Sequence, residues 1–114
     1  MSADCIFCKI VAGEVPATKV YEDDQVVAFE DIHPVAPVHV LVIPKKHLAS
    51  VNDLRAEDTE LLGRIFAAIQ RVAAEKGVVE SGYRVITNAG KDSGQAVFHL
   101  HFHVIGGRVL GPLA

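Results

Sequence analysis

The stretch that decides the fold of this chain reads Val97-Phe98-His99-Leu100-His101-Phe102-His103-Val104-Ile105. Apolar and polar residues alternate along it with the period of two that is typical of a β-strand. We therefore predict a strand with two different faces. One face points into a core and carries Phe98, Leu100, Phe102 and Val104. The other face carries His99, His101 and His103.

The three histidines are predicted to form a reaction site. Residues two apart on a strand lie roughly 6 to 7 Å from each other, so the imidazoles can surround one phosphate or divide between a metal ion and a substrate. A solvated polar face would explain a single exposed histidine, but such faces usually carry Thr, Lys or Glu. Histidine also serves readily as ligand, nucleophile and proton shuttle near neutral pH.

Composition limits the classes of protein to which the chain can belong. With 114 residues, half of them hydrophobic and 22% charged, we expect one globular domain spanning residues 1–114. The formal net charge is −3, and no basic run is longer than Lys45-Lys46, so a nucleic-acid surface is not expected. No apolar run is long enough to cross a membrane. We expect a cytoplasmic protein, in which the two cysteines stay reduced or bind a metal.

The remaining patterns predict an α+β fold. A short helix is expected over residues 5–11, capped by Asp4 and stopped by Gly13. Residues 19–22 and 25–31 are predicted to form a hairpin that turns at residues 23–24. Residues 38–43 form a continuous apolar run that ends at Pro44, which is typical of a strand covered on both faces.

A single long helix is predicted over residues 57–76, followed by one more strand. The helix carries apolar residues at helical spacing and stops at Gly77; these residues are Leu62, Ile65, Phe66, Ile69, Val72 and Ala73. Residues 83–88 form the strand before the histidine strand. We therefore expect an antiparallel sheet of about five strands with one short N-terminal helix and one long helix.

The motif Cys5-Ile6-Phe7-Cys8 leaves three interpretations open. It could be a redox pair, although no βαβ pattern surrounds it. It could be two buried cysteines with no further role. It could also contribute two ligands to a structural zinc site, which normally has four ligands in tetrahedral geometry. His47 and His99 would then complete the set.

Two further segments have a possible binding role. The loop over residues 88–96 contains small residues that let backbone N–H groups approach an anion, and Asn88 and Gln95 add side-chain amides. It could equally be an ordinary loop between two strands. In Phe29-Glu30-Asp31-Ile32, a carboxylate beside apolar side chains suits a ribose and a base. An ordinary strand end followed by a turn explains that segment equally well.

The sequence resembles the histidine triad (HIT) superfamily, whose signature is H-x-H-x-H followed by two apolar residues, here residues 99–105. The resemblance covers nearly the whole chain, from about Asp4 to Gly107. Supporting matches lie at residues 6–7, 28–32, 37–39, 41–47, 94–95 and 106–108. Val-Ile-Pro-Lys-Lys-His at residues 42–47 and Gly-Gly-Arg at residues 106–108 are most similar to the Hint branch of nucleoside phosphoramidases.

The resemblance implies a role for each matching residue. His101 would be the nucleophile that attacks the α-phosphorus of a purine nucleoside 5'-phosphoramidate and forms a nucleotidyl-histidine intermediate. Asp31 would bind the ribose, and His39 would support the phosphate side of the pocket. The phosphate would be held by Asn88, Gly94, Gln95, Val97 and His103. The purine would be held by Ile6, Phe7, Ile10, Phe29 and Ile32.

The resemblance also implies a structural zinc ion on Cys5, Cys8, His47 and His99, and a homodimer. Many Hint-like enzymes have a serine that assists the departing amine immediately after the Gly-Gln pair, and this chain has Ala96 there. Two alternative functions remain. One is hydrolysis of dinucleoside polyphosphates. The other is a zinc-stabilised nucleotide-binding scaffold for protein partners.

Overall fold

The computed structural model describes residues 4–113, and it confirms the predicted α+β fold. The helices are α1 (Ile6–Val11) and α2 (Thr59–Glu75). The strands are β1 (Lys19–Glu22), β2 (Val26–Glu30), β3 (Val38–Pro44), β4 (Tyr83–Ile86) and β5 (Phe102–Gly106). Short 3₁₀ turns lie at Val51–Asp53, Ala56–Asp58 and Lys91–Ser93. No helix within residues 4–113 is long and apolar enough to cross a membrane.

The five strands form one antiparallel sheet in the order β1-β2-β3-β5-β4. The central strand β3 pairs with β2 from Val26↔Pro44 to Glu30↔Val40. On its other side it pairs with β5 from Val38↔Gly106 to Val42↔Phe102. Residues 39–44 of β3 are all buried, so the predicted cover on both faces is confirmed.

Each face of the sheet has its own apolar core. Side chains of α2 pack on one face against Val26, Ala28, Val40, Val42, Leu100, Phe102 and Val104. On the other face, the core around α1 contains Val27, Phe29, Leu41 and Ile43. Because successive strand residues point to opposite faces, neighbours along β2 and β3 enter different cores. The face that α1 covers is the one that carries the histidines.

Both helices form nearly where they are predicted, but the cap of α1 differs. Cys5, and not Asp4, is the N-cap residue, and its sulfur accepts a hydrogen bond from the Cys8 N–H at 3.2 Å. Cys5 has extended backbone angles, as an N-cap residue should. Gly13 and Gly77 follow the two helices with φ of 78° and 71°, so the predicted glycine stops are confirmed.

The histidine strand is shorter than predicted. It begins only at Phe102. Beyond the Val42↔Phe102 pair the register would join Ile43 to His101 and then Pro44 to Leu100, and Pro44 has no N–H to donate to that ladder. The Pro44 carbonyl instead accepts from His99 Nε2 at 2.8 Å, and the Leu100 N–H donates to the Leu48 carbonyl at 2.6 Å.

The inward orientation predicted for Phe98 is wrong, since its side chain is 54% exposed. Phe98 lies beyond the end of the ladder, so the pleat no longer determines its direction. Alternation persists closer to the strand, where Leu100 is fully buried against the α2 core. Phe66 on α2 is likewise only partly covered: it is 45% exposed and packs edge-on against Phe102.

Candidate active site and metal cluster

A cavity of about 430 Å³ opens on the face of the sheet that α1 covers, and we call it the α1 cavity. Nine of the predicted site residues line it: Ile6, Phe7, Ile10, Phe29, Asp31, Ile32, Val97, His101 and His103. One part of its wall is apolar and formed by α1 and β2. Another part contains the imidazoles and the Asp31 carboxylate, so the cavity combines an apolar surface with a group of polar side chains.

His101, the predicted nucleophile, is held as one defined tautomer. Its Nδ1 lies 2.7 Å from the His99 carbonyl oxygen, which can only accept, so Nδ1 carries the proton. The other ring nitrogen, Nε2, then has a free lone pair. Burial lowers the pKa of His101, which keeps the imidazole neutral at pH 7. A neutral imidazole with a free Nε2 is a competent nucleophile.

Two contacts hold His101, one on its backbone and one on its ring. Its backbone carbonyl accepts a hydrogen bond from the Thr87 hydroxyl at 2.8 Å, just beyond the end of β4. The Phe7 ring from α1 meets the imidazole edge-on, with centroids 5.1 Å apart. Only 7% of His101 is exposed, so the chain around this residue is held before any ligand binds.

His39 and His103 form a hydrogen-bonded pair, in which His103 lines the α1 cavity and His39 does not. The Val35 N–H donates to His39 Nδ1 at 3.1 Å, which leaves the His39 proton on Nε2. His39 Nε2 lies 2.9 Å from His103 Nδ1 and donates to it. His103 therefore carries its own proton on Nε2. Burial, together with the neighbouring His101 and His39, lowers the pKa of His103 to about 4, so it acts as a neutral hydrogen-bond donor.

Asp31 completes this polar group. Its Oδ1 accepts from the His33 N–H at 2.7 Å, and its Oδ2 lies 3.4 Å from His39 Nε2. Asp31, His39 and His103 bring ligand atoms within 4.8 Å of one another, but the hydrogen bonds between them explain this proximity. A metal would require a free lone pair at His39 Nε2, and the Val35 contact places a proton there.

In the loop before the histidines, the Gln95 side chain makes its hydrogen bonds within the protein. The Gln95 side chain is 7% exposed and fully engaged within the protein. Its Nε2 donates to the carbonyls of Ala49 and Val97 at 2.7 and 3.0 Å, and its Oε1 accepts from the Gly90 N–H at 2.8 Å. Gln95 therefore holds the loop together. Asn88, Gly94 and Gln95 do not line the α1 cavity.

The four predicted metal ligands come together at the start of α1. Cys5 Sγ lies 3.3 Å from His99 Nδ1, and Cys8 Sγ lies 3.2 Å from His47 Nδ1. The two Nδ1 atoms are 3.2 Å apart. On a tetrahedral zinc with bonds of about 2.0 to 2.3 Å, neighbouring ligand atoms lie roughly 3.3 to 3.8 Å apart. We call these four residues the Cys/His cluster, and its spacing fits such an ion.

The surroundings of the cluster support the same conclusion. Cys5, Cys8 and His99 are buried, and His47 is half-buried. His99 Nε2 is hydrogen-bonded to the Pro44 carbonyl, which leaves Nδ1 free for a metal. Metal-binding histidines usually donate a hydrogen bond from the N–H of their second ring nitrogen in this way. The cysteine sulfurs and imidazole nitrogens present here are ligands that zinc prefers.

Several cavity residues were not predicted as binding residues. They are Val15, Pro16, Ala17, Glu30, His33, Leu41 and Ala96. The segment after α1 carries no pattern that indicates a binding wall, although Gly13 at its start has φ of 78°. Leu41 could have been found, since it lies two residues from His39 and therefore on the same face of β3.

The chain is similar in sequence and in structure to proteins of one known family. The HIT domain family matches residues 12–110. A purine nucleoside phosphoramidase of Escherichia coli K12 is 45% identical over 113 residues, covering 99% of this chain and 95% of that protein. A HIT family hydrolase structure from Clostridium thermocellum has 48% identity and a TM-score of 0.95, covering 99% and 98% of the two chains.

A histidine triad protein structure from Clostridium difficile has 49% identity and a TM-score of 0.94, and it covers 100% of this chain and 99% of its own. The matched region in each case covers 99 to 100% of this chain, so it includes the whole sheet and both helices. The chain belongs to the HIT family.

Proposed function

We propose that this chain is a purine nucleoside phosphoramidase, which cleaves the P–N bond of purine nucleoside 5'-phosphoramidates. The observation that carries the proposal is the free Nε2 of His101, a neutral nucleophile held at the wall of a cavity of about 430 Å³. The name of the 45% identical Escherichia coli relative supports the same reaction. The resemblance that assigns His101 as nucleophile rests on the same histidine motif.

The reaction balances in two steps. His101 Nε2 attacks the phosphorus and forms a P–N bond, while the bond to the amine nitrogen breaks and that nitrogen takes a proton from water. The hydroxide left by that proton transfer then attacks the phosphorus, the bond to Nε2 breaks, and the products are a nucleoside monophosphate and a regenerated imidazole. The Nε2–H of His103 would donate to the phosphate oxygens as charge develops on them.

The remaining cavity residues would bind the nucleotide. Ile6, Phe7, Ile10, Phe29 and Ile32 supply the apolar wall for a purine, and the Asp31 carboxylate would accept from the ribose hydroxyls. Gln95 would act through the loop it holds, with the backbone near Gly94 and Val97 and the side chain of Asn88 close to the phosphate. His39 would fix the tautomer of His103.

We also propose a structural zinc ion on Cys5, Cys8, His47 and His99. The spacing of the four ligand atoms supports it. The ion would supply no chemistry to the reaction beyond tying α1 to the segments around His47 and His99. His101 is not part of this ligand set, so its Nε2 would remain available to the substrate.

We further propose that the whole chain acts as one domain and forms a homodimer in the cytoplasm. Within residues 4–113, β4 is an edge strand that pairs only with β5. Val85 on β4 is 37% exposed and Phe66 on α2 is 45% exposed, and both lie on the α2 face of the sheet. A second copy could extend the sheet at β4 and cover both side chains. Light scattering on wild type and on Val85→Lys tests the dimer, and a monomeric wild type would refute it.

The decisive experiment measures turnover of a fluorogenic adenosine phosphoramidate. His101→Asn should lower kcat by several powers of ten and leave nucleotide affinity intact, because the covalent path is removed. His103→Asn should cost less, since that residue stabilises charge and forms no bond. Mass spectrometry of quenched wild type should reveal a nucleotidylated protein.

Two results would favour a different function for the chain. Faster hydrolysis of diadenosine polyphosphates than of phosphoramidates would favour the dinucleoside polyphosphate hydrolases. Wild-type turnover equal to that of His101→Asn, with no trapped nucleotidyl protein, would favour a nucleotide-binding scaffold.

A further inference from the structure

The loop between β2 and β3 supplies the backbone group that orients the histidine pair beside the α1 cavity. Its Val35 N–H donates to His39 Nδ1 at 3.1 Å, and His39 Nε2 lies 2.9 Å from His103 Nδ1. Residues 32–35 of this loop are all exposed, so apolar packing does not hold them. Polar contacts must therefore keep the Val35 N–H directed at His39.

The Arg108 side chain makes such a contact from beyond the end of β5. Its Nη2 donates to the Val35 carbonyl at 2.9 Å, and its Nη1 donates to the Val109 carbonyl at 3.0 Å. A guanidinium stays protonated and holds its N–H groups in a rigid plane, so it can bridge two carbonyls. The carbonyl and the N–H of Val35 flank the same Cα atom, so a fixed carbonyl also restricts the direction of the N–H.

The backbone before Arg108 is shaped to bring it to this loop. Gly107 has φ of 93°, and a Cβ atom added there would lie 2.9 Å from Pro37 Cβ. Only glycine combines that conformation with so close an approach. The strand pair Val38↔Gly106 places the two segments side by side. The position of Arg108 beside the loop therefore follows from the strand register.

The direction of the hydrogen bonds decides what His103 can do. With the Val35 N–H on His39 Nδ1, the His39 proton lies on Nε2 and the His103 proton lies on its own Nε2. If the Val35 N–H moved away, His39 could carry its proton on Nδ1 and accept at Nε2. His103 would then hold its proton on Nδ1 and present a lone pair to the phosphate, where the proposed reaction needs a donor.

Resting on the function proposed above, we propose that Arg108 is a positioning residue for the reaction. Through the Val35 backbone and His39, it sets the tautomer in which His103 donates to the phosphate. Arg108 does not line the α1 cavity, so it acts without touching the substrate. Its removal should therefore lower kcat and leave the nucleotide contacts of the cavity wall in place.

Nitrogen NMR of the imidazoles tests the tautomer directly. Zinc-loaded, ¹⁵N-labelled protein at pH 7 without nucleotide should show a protonated Nε2 and an unprotonated Nδ1 on His103, whose signals are identified by their loss in His103→Gln. Arg108→Met keeps a long side chain without donors and should give a clear fraction of the opposite tautomer. Arg108→Lys keeps one charged donor and should lie between the two.

Two further variants separate the hydrogen bonds from a general change in the fold. Val35→Pro removes the N–H itself, so it should change the His103 tautomer although Arg108 is intact. Arg84→Met is the matched control, because Arg84 Nη2 also donates to a backbone carbonyl, that of Gly111 at 2.9 Å, and does not line the α1 cavity. Its tautomer and kcat should equal those of the wild type. Circular dichroism, zinc content and light scattering show whether each variant keeps the wild-type fold and oligomeric state.

Kinetics with the fluorogenic adenosine phosphoramidate supply the second readout. Arg108→Met should lower kcat by about threefold to tenfold, less than the roughly 10²- to 10³-fold cost of deleting such a donor outright. Its KM should stay within about twofold of the wild-type value. Arg108→Lys should restore part of the lost kcat in proportion to the tautomer that it restores.

Three results would overturn this role of Arg108. The first is an unchanged His103 tautomer in Arg108→Met, and the second is the same spectral change in Arg84→Met. The third is a raised KM with unchanged kcat, which would indicate that Arg108 contacts the substrate. Absence of turnover in the wild type would overturn the proposed function alone, because the spectra of the free protein decide the role of Arg108 without a substrate.

Discussion

Lowering the pH from 7 to 5 should destabilise the folded chain through His103. This imidazole has an ordinary pKa of 6.5, which burial and the neighbouring His101 and His39 lower to about 4 in the fold. Between these two values the unfolded chain binds the proton and the folded chain does not, so stability falls as the pH falls. Asp31 is the one acidic group acting on His103, and it opposes the shift without reversing it.

The size of the effect follows from the two pKa values. One pKa unit corresponds to about 1.4 kcal/mol, so the full shift is worth roughly 3 kcal/mol below pH 4. Between pH 7 and pH 5 the expected loss is about 2 kcal/mol. This is a large part of the roughly 5 to 15 kcal/mol that stabilises a typical domain.

Urea denaturation at pH 7, 6 and 5 measures this loss. Excess zinc is kept in every sample, so that protonation of the Cys/His cluster contributes equally to all proteins compared. The control is His103→Gln, which has no imidazole to titrate and should lose about 2 kcal/mol less than wild type over this range. Identical pH slopes in the two proteins would refute the burial argument for His103.

Three further predictions concern the metal, the ribose and the leaving group. Cys5→Ser should lower zinc content below one per chain by elemental analysis and lower the melting temperature before it alters turnover; a wild type that folds without metal and has two freely titrating thiols contradicts the zinc site. Asp31→Asn should weaken AMP binding by roughly 1 to 3 kcal/mol in calorimetry, since it removes a charged hydrogen-bond acceptor; equally tight binding of deoxy-AMP by wild type rules out this role. Ala96→Ser should raise kcat for phosphoramidates of strongly basic amines and hardly change it for good leaving groups, because proton donation matters only when departure is difficult; a uniform change across the amine series speaks against it.

The parts of the fold that sequence predicts well are those that packing determines. The apolar run of β3 and the helical spacing in α2 each indicate one structure, and both form within two residues of the predicted bounds. The alternation of the histidine motif also correctly separates Leu100 from His101. These patterns predict the structure correctly because a shift of one residue in a strand would move its apolar side chains from the buried face to the solvent.

The errors occur where a single polar atom determines the structure. The missing N–H of Pro44 ends the strand ladder, and this matters only because β3 and β5 pair in that register. The Gln95 amide contacts Ala49, Val97 and Gly90, and no sequence pattern indicates these partners; the place of Gln95 beside a phosphate stays a prediction.

The helix α1 has only six residues, far fewer than an isolated helix needs to be stable in water. It nevertheless carries both cysteines of the Cys/His cluster and three apolar side chains of the α1 cavity. Metal and nucleotide would therefore stabilise the same small element from opposite sides. Thermodynamic reciprocity then requires that zinc tighten nucleotide binding by the same factor by which nucleotide tightens zinc binding. On this basis, a metal centre with no part in the bond-breaking step would still influence the affinity for substrate.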